Sequence, residues 1–260
     1  MKLFSLNKGK LEVIKVDPFK LERDIQNLIE DNTGEVFNIE FVSSEFKIGD
    51  FRIDTLCFDK ENNSFVIIEY KKGSSYSVID QGYSYLSMML NNKSDFILEY
   101  NEKSSDNIQR NSVNWSQSRI IFISPSFNSY QKHSVNFKDV PFELWEIKKY
   151  SNHNISLNPI ISNSKESVKT ISNNNDSLIR TVNEEVKVYG LEDLISESTQ
   201  VIKDIWMIIQ RKFDENDFDE TRFNYTRNYI RFSKVNNNSV ISYFRFRKES
   251  INIVIMGGTV

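Results

Sequence analysis

FRIDTLCFDKENNSFVIIEYKK, residues Phe51 to Lys72, decides how this chain is read. Two apolar runs flank a polar DKENN turn, which is the pattern of a β-hairpin. Charges are out of place in strands built only for a core. Yet Asp54 stands on the first run, and Glu69 and Lys71 stand on the second. Residues two apart on a strand share a face, so Glu69 and Lys71 project together. An even turn centred between Glu61 and Asn62 makes Asp54 and Glu69 direct cross-strand neighbours. Such neighbours have Cβ atoms roughly 4.5–5.5 Å apart, and like charges placed so destabilise the pair.

Two carboxylates brought that close call for a counter-charge. Mg²⁺ supplies one, taking its oxygen ligands from one or two carboxylates, waters and substrate phosphates. A lysine on the same face orients a water or stabilises charge on a phosphate, which is the equipment of metal-assisted phosphodiester hydrolysis. The competing reading is a solvent-facing polar stripe in which Lys71 simply pairs with Glu69 or Asp54. Against it, FVIIEYKK sets Glu69 behind four apolar residues, where a solvated face would alternate from the start.

Around this hairpin the chain is long enough, at 260 residues, for one large domain or two small ones. Its 39% hydrophobic and 13% aromatic content suffices for a packed core. The net charge of −3 neither advertises nor excludes a nucleic-acid partner, since a local basic face can be balanced elsewhere. The single Cys57 excludes an internal disulfide framework and reads as a small buried hydrophobe. His133 and His153 lie in polar stretches and argue against histidine-based catalysis or metal binding. There is no phosphate-cradling glycine motif, cleavable leader or run of 18 apolar residues. The expectation is a cytoplasmic protein that does not span a membrane.

Before the hairpin, a strand-like start (LEVIKV) leads to Asp17-Pro18, read as an N-cap with proline at the first helical position. Phe19, Leu21, Ile25, Leu28 and Ile29 then recur at helical spacing. Strands are expected at about 39–46, 52–58 and 64–70, followed by a helix at about 77–90. Further strands are expected at 95–100 (DFILEY), 119–124 (RIIFIS) and 142–150 (FELWEIKKY). Near-continuous apolar runs of this kind suit strands covered on both faces. The element order predicts an α/β domain at residues 1–150, a mixed sheet flanked by helices. Residues 151–185, rich in Ser and Asn, read as a linker. Residues 186–260 read as a small α+β domain, with a helix at about 197–212 and strands near 229–233, 239–246 and 251–256.

At the residues of the hairpin the sequence resembles the PD-(D/E)XK nuclease superfamily, whose fold is the restriction-endonuclease-like mixed sheet. RIDTL and VIIEYKKG look like its core strands, with Asp54 in the place of the first acid and Glu69-Tyr70-Lys71 in the place of (D/E)XK. Ile53 stands where the family's proline would be. Glu22 is similar to the upstream acid of many members. Gln81, in DQGYSYL, is similar to the glutamine of the Holliday-junction-resolvase-like and NucS-like branch. Residues 1 to about 100 also resemble an uncharacterised bacterial family whose members often carry the label "predicted transport protein". Its C-terminal domains usually run longer, which implies that this one is shortened or incomplete.

The resemblance implies a Mg²⁺- or Mn²⁺-dependent endonuclease acting on DNA, in defence or repair. Asp54 and Glu69 would ligate the metal together with the backbone carbonyl of Tyr70, and Glu22 would ligate it directly or through water. Lys71 would position the attacking water, and Gln81 would hold the geometry of the site. Many nucleases of this fold are homodimers, because cutting two strands takes two sites. Glu22 also suits a plain structural role, since acids favour the first turns of a helix, and Gln81 equally suits a helix-surface amide. Lys72 reads as a phosphate or solvent contact. Glu45, one strand away, is a lesser candidate for the acidic cluster. The rival function is a catalytically silent nuclease-fold module that binds nucleic acid or a protein partner.

Thr221 to Lys248 holds seven Lys or Arg and no acid, interleaved with aromatics. Arg222, Arg227, Arg231, Arg245 and Arg247 are therefore candidate nucleic-acid contacts, with the aromatics as stacking platforms. In YFRFRK the alternation puts Arg245 and Arg247 on one face and the phenylalanines on the other, which equally describes a half-buried strand.

Overall fold

The structure, a computed structural model, describes residues 3–60, 62–72, 78–136, 140–160, 177–186, 191–196, 198–215, 221–225, 230–234 and 240–255. The chain opens with an antiparallel ribbon of β1 (Leu3–Asn7) and β2 (Lys10–Ile14). Helix α1 (Glu22–Glu30) then begins later than the Asp17-Pro18 signal predicts. Val16 bridges Tyr150, and the Asp17 N–H donates to the Lys149 carbonyl at 2.8 Å. That stretch is held extended beside a strand, so it turns helical only once released. The Asp24 carboxylate then accepts from the Leu21 N–H at 2.9 Å, satisfying one donor at the helix start.

After α2 (Thr33–Phe37) come β3 (Glu40–Ile48), β4 (Phe51–Asp59) and β5 (Ser64–Tyr70). Helices α3 (Val78–Asn91) and α4 (Lys93–Lys103) carry the chain to β6 (Arg119–Ser124). Then follow α5 (Ser129–Ser134), β7 (Phe142–Lys149) and β8 (Ile155–Ile160). The six strands form one sheet in the order β3-β4-β5-β6-β7-β8. β5, β6 and β7 are mutually parallel, and the other neighbours are antiparallel. This is the mixed, helix-flanked α/β sheet that the sequence predicts. The stretch 95–100, expected as a strand, lies in helix α4 instead. Its Phe96 and Tyr100 are buried at i, i+4, the spacing of one helix face.

Every residue of β5 and β6 is buried, because helices cover both faces of the sheet. On one face Ile25, Ile29 and Phe37 pack on Cys57, Val66, Ile68, Ile121 and Ile123. On the other, Leu86, Met89 and Phe96 pack on Leu56, Phe58, Phe65, Ile67 and Phe122. Fully burying each such side chain contributes about 1.5–3 kcal/mol. Cys57 is the buried hydrophobe expected, and burial pushes its thiol pKa far up.

The chain divides into two compact units, Met1–Lys187 and Val188–Val260. Two elements of the first unit lie within the Ser/Asn-rich range read as a linker: β8 and helix α6 (Ser177–Glu185). Val182 and Val186 join the α3-side core, and the Tyr83 hydroxyl donates to Asn183 Oδ1 at 3.3 Å. The second unit holds helices α7 (Leu191–Ser196) and α8 (Gln200–Glu215) and an antiparallel sheet. Its strands are β9 (Thr221–Tyr225), β10 (Ile230–Lys234), β11 (Val240–Phe246) and β12 (Ile251–Ile255), in the order β12-β11-β10-β9. Trp206 of α8 packs edge-on against Phe244 and Phe246 at 5.3 and 5.1 Å between centroids, with Ile202, Ile230 and Phe232 around it.

Candidate active site

The hairpin of β4 and β5 forms in the expected register, with Thr55 facing Ile68 and Asp59 facing Ser64. Extended by one pair, this register sets Asp54 opposite Glu69. On the other side Ser44 faces Thr55 and Phe46 faces Ile53, which sets Glu45 opposite Asp54. Glu45, Asp54 and Glu69 therefore occupy one row across three strands, and this row interrupts the ladder. Ile53 packs into the α3-side core, whereas Thr55 and Cys57 face α1. In a regular strand all three would share a face. Glu45 sits in the left-handed region at φ 58°, a conformation that costs a non-glycine residue on the order of 1 kcal/mol.

Side chains satisfy the Asp54 backbone at this irregular row. Its N–H donates to Glu69 Oε1 at 3.2 Å, and its carbonyl accepts from Gln26 Nε2 at 3.0 Å. Its own Oδ2 accepts from the Tyr70 N–H at 3.1 Å. The second oxygen of Glu69 accepts from Lys71 Nζ at 3.4 Å and from Gln81 Nε2 at 3.0 Å. Gln81 also donates to the Tyr85 hydroxyl at 3.3 Å, and that hydroxyl donates to the Arg52 carbonyl at 2.9 Å. Asp54, Glu69, Lys71 and Gln81 are thus brought together, with Tyr70 between two of them. Gln81 is not a free surface amide: it turns inward onto Glu69.

Burial decides the electrostatics. Glu69 is 1% exposed. Desolvation first, and then the neighbouring Asp54 charge, push its pKa up from 4.5 to about 8, against the opposing pull of Lys71. Burial likewise raises Asp54, resisted by the Tyr70 N–H and Lys71. Glu45 and Glu22 add negative charge near it.

The remaining first-unit candidates sit close by. The Glu22 carboxylate accepts from the Lys72 N–H at 2.5 Å. Lys72 is exposed, and its ammonium reaches the Lys20 carbonyl. Glu45 is bound by Arg23 at 2.8 Å and by Arg52. In the second unit Arg222 lies on β9 and Arg231 on β10, while Arg227 lies outside the described residues. Arg245 is half-buried and Arg247 exposed, opposite the core phenylalanines Phe244 and Phe246, as the alternation predicts. Phe232 is likewise a core residue, not a surface platform.

The sequence reading missed the polar stripe of α1. Glu22, Gln26 and Glu30 recur at i, i+4, i+8, so they share one helix face. That face meets the irregular row: Glu22 caps Lys72, Gln26 holds Asp54, and Glu30 accepts from the Thr55 hydroxyl at 2.6 Å. The spacing was the available signal. Arg52, two residues before Asp54, was a second.

The donor set suits a divalent metal such as Mg²⁺ or Mn²⁺. The acid pair offers hard carboxylate oxygens, and its mutual repulsion is what such a cation removes. Among the described residues no three acidic, histidine or cysteine side chains gather into a full cage. The pair would therefore complete its coordination with main-chain oxygen, water or substrate.

No family profile matches the chain. In solved structures it is similar to an EndoMS–dsDNA complex, with 17% identity over 52% of this chain and 51% of that one and a TM-score of 0.32. It is also similar to a repair endonuclease from Pyrococcus abyssi (20% identity, 46% and 45% covered, TM-score 0.26). A third likeness is to Pyrococcus furiosus SfsA in complex with Ca²⁺ (13%, 60% and 68%, TM-score 0.27). At this degree of overlap none of them tells what this chain does, and nothing here carries the transport label. The chain is 42% identical over 257 residues to an uncharacterised protein of Haemophilus influenzae, a match spanning 98% of this chain and 83% of that one. It belongs to the same family as that protein.

Proposed function

We propose that the first unit is a Mg²⁺- or Mn²⁺-dependent endonuclease that hydrolyses DNA phosphodiester bonds. One observation carries the reading: half-buried Asp54 sets its charge beside buried Glu69 and its N–H on one Glu69 oxygen, with an ammonium and an amide on the other. Such a pair needs its charge offset, which a proton on Glu69 does in the metal-free chain and a divalent cation would do on binding. Asp54, Glu69 and the Tyr70 carbonyl would hold the metal, and Glu22 would join directly or through water. Bound there, the metal would polarise a phosphoryl oxygen and offset the charge that builds up in the transition state.

The chain's own residues do the rest. Lys71 orients the attacking water and meets the developing negative charge. Gln81 fixes the Glu69 carboxylate from α3, and Gln26 fixes the Asp54 backbone from α1. Lys72 and the arginines of the second unit would serve as phosphate contacts. A homodimer would present one site to each strand of a duplex.

The test is cleavage of labelled single-stranded, duplex and branched DNA with Mg²⁺ or Mn²⁺. Glu69→Ala is expected to abolish metal-dependent cutting, and Lys71→Ala to slow it about 10²–10⁴-fold. Binding of DNA without cutting, by clean wild-type protein loaded with metal, would leave the silent nuclease-fold module instead.

A further inference from the structure

Arg23 and Arg52 converge on one carboxylate at the edge of the acid pair. Arg23 Nη1 lies 2.8 Å from Glu45 Oε1, and Arg52 Nε meets the other oxygen. Two cations on one anion leave a net positive charge beside two acids. Both guanidinium side chains remain open to solvent, at 53% and 60% exposure. We infer that Arg23 and Arg52, held by Glu45, form a clamp for backbone phosphates of the DNA strand next to the acid pair. This inference rests on the proposed nuclease reading.

Position argues for it first. Arg23 follows Glu22 on α1, and Arg52 stands two residues before Asp54 on β4. Glu45 lies opposite Asp54 in the β3–β4 register. The arginines are also wired to the acids. Gln26 Nε2 lies 3.4 Å from Glu45 Oε1 and 3.0 Å from the Asp54 carbonyl, and its own Oε1 accepts from Arg23 at 3.3 Å. The Arg52 carbonyl is held through Tyr85 and Gln81 to Glu69. A shift of either arginine is thereby coupled to the acid pair.

Chemistry argues for it second. A DNA strand approaching half-buried Asp54 and the acids around it meets repulsion, which neighbouring cations must offset. Arginine's planar fork matches a phosphate with two parallel donors, and a carboxylate behind it fixes the fork in place. An ordinary surface ion pair adds little to stability. It would give no reason to hold Glu45, a non-glycine residue, at φ 58°. Holding two arginines at once is a reason.

The test measures binding of the full chain to duplex and single-stranded oligonucleotides by fluorescence anisotropy across a KCl series, with Ca²⁺ in place of Mg²⁺. Arg23→Ala/Arg52→Ala is expected to weaken duplex binding and lower the slope of log K against log salt by about 1.8, or about 0.9 per lost phosphate contact. Arg110→Ala, an exposed arginine elsewhere in the first unit, controls for net charge and should leave the slope unchanged. Glu45→Gln keeps both cations but releases them. It should retain the salt slope and lose cleavage rate at saturating DNA. An unchanged slope in the double variant, with wild type binding DNA, overturns the clamp and leaves the nuclease reading intact. An unchanged rate in Glu45→Gln overturns the positioning role of Glu45. No DNA binding by wild type overturns both clamp and nuclease reading.

Discussion

Glu69 is the residue on which the account turns, and its burial has a consequence for stability without metal. Folding raises its pKa from 4.5 to about 8, so between these values the folded chain holds a proton that the unfolded chain has released. That contribution is complete below pH 4.5 and is lost as pH rises through about 8, at a slope of up to about 1.4 kcal/mol per pH unit. Denaturation midpoints in chelator should therefore fall from pH 5 to 8.5 in the wild type. In Glu69→Gln, which keeps the neutral form, the fall should flatten, and parallel profiles would show that Glu69 is not titrating in a buried site. Asp59 works in the other direction. Burial would raise its pKa, but Arg119 and Asn62 more than offset that and hold it below the usual range, so its contribution is lost only under acid conditions. At this scale the sequence was readable where pairing is regular. The charged pair at 54 and 69 follows from an even turn and two apolar runs. The partners of Glu45 do not, because nothing in SSEF signals a left-handed glutamate in mid-strand, and that backbone sets where its carboxylate goes.

Between elements, two contacts hold the frame that aims the site. Arg119 at the start of β6 pairs with Asp59 of β4 and Glu143 of β7, each at 3.0 Å, spanning four strands in the interior. Arg119→Met should cost about 3–5 kcal/mol, because it leaves Asp59 buried without its cation. Asp59→Asn combined with it should recover part of that loss, as read by urea denaturation. Gly82 on α3 is the second contact. A Cβ there would lie 2.7 Å from the Phe142 ring, which is itself packed edge-on against Tyr83. Gly82→Ala should cost about 1–3 kcal/mol by overpacking. It should cost less in a Phe142→Leu background, a coupling that a double-mutant cycle measures. Because Gly82 follows Gln81, the same variant should also disturb the Gln81 contact with Glu69 and slow cleavage. Element type was legible where periodicity ran long, as in α3 and α8. DFILEY misled because six apolar-rich residues suit either state, and only the packing of Phe96 and Tyr100 under the sheet selects the helix.

At the scale of the molecule, the site belongs to the first unit, whose core is separate from the Trp206-centred core of the second. A chain ending after Lys187 should therefore unfold in one cooperative transition and match the full chain in any Mn²⁺ binding; loss of the fold would show that the second unit is required for it. The β8 strand and α6 helix hide within a Ser/Asn-rich stretch, because composition reports average polarity and not which few residues dock on a core. Among the described residues no helix is long and apolar enough to cross a membrane. The central claim is that half-buried Asp54 and buried Glu69 form a metal site, and calorimetric titration with Mn²⁺ or Mg²⁺ at pH 6 and pH 8 tests it most directly. One site is expected, with an affinity that rises with pH and a filling that releases protons at pH 6, since Glu69 must ionise to bind. Asp54→Asn/Glu69→Gln should abolish that binding. Undiminished binding in the double variant, or none in the wild type at either pH, would contradict it.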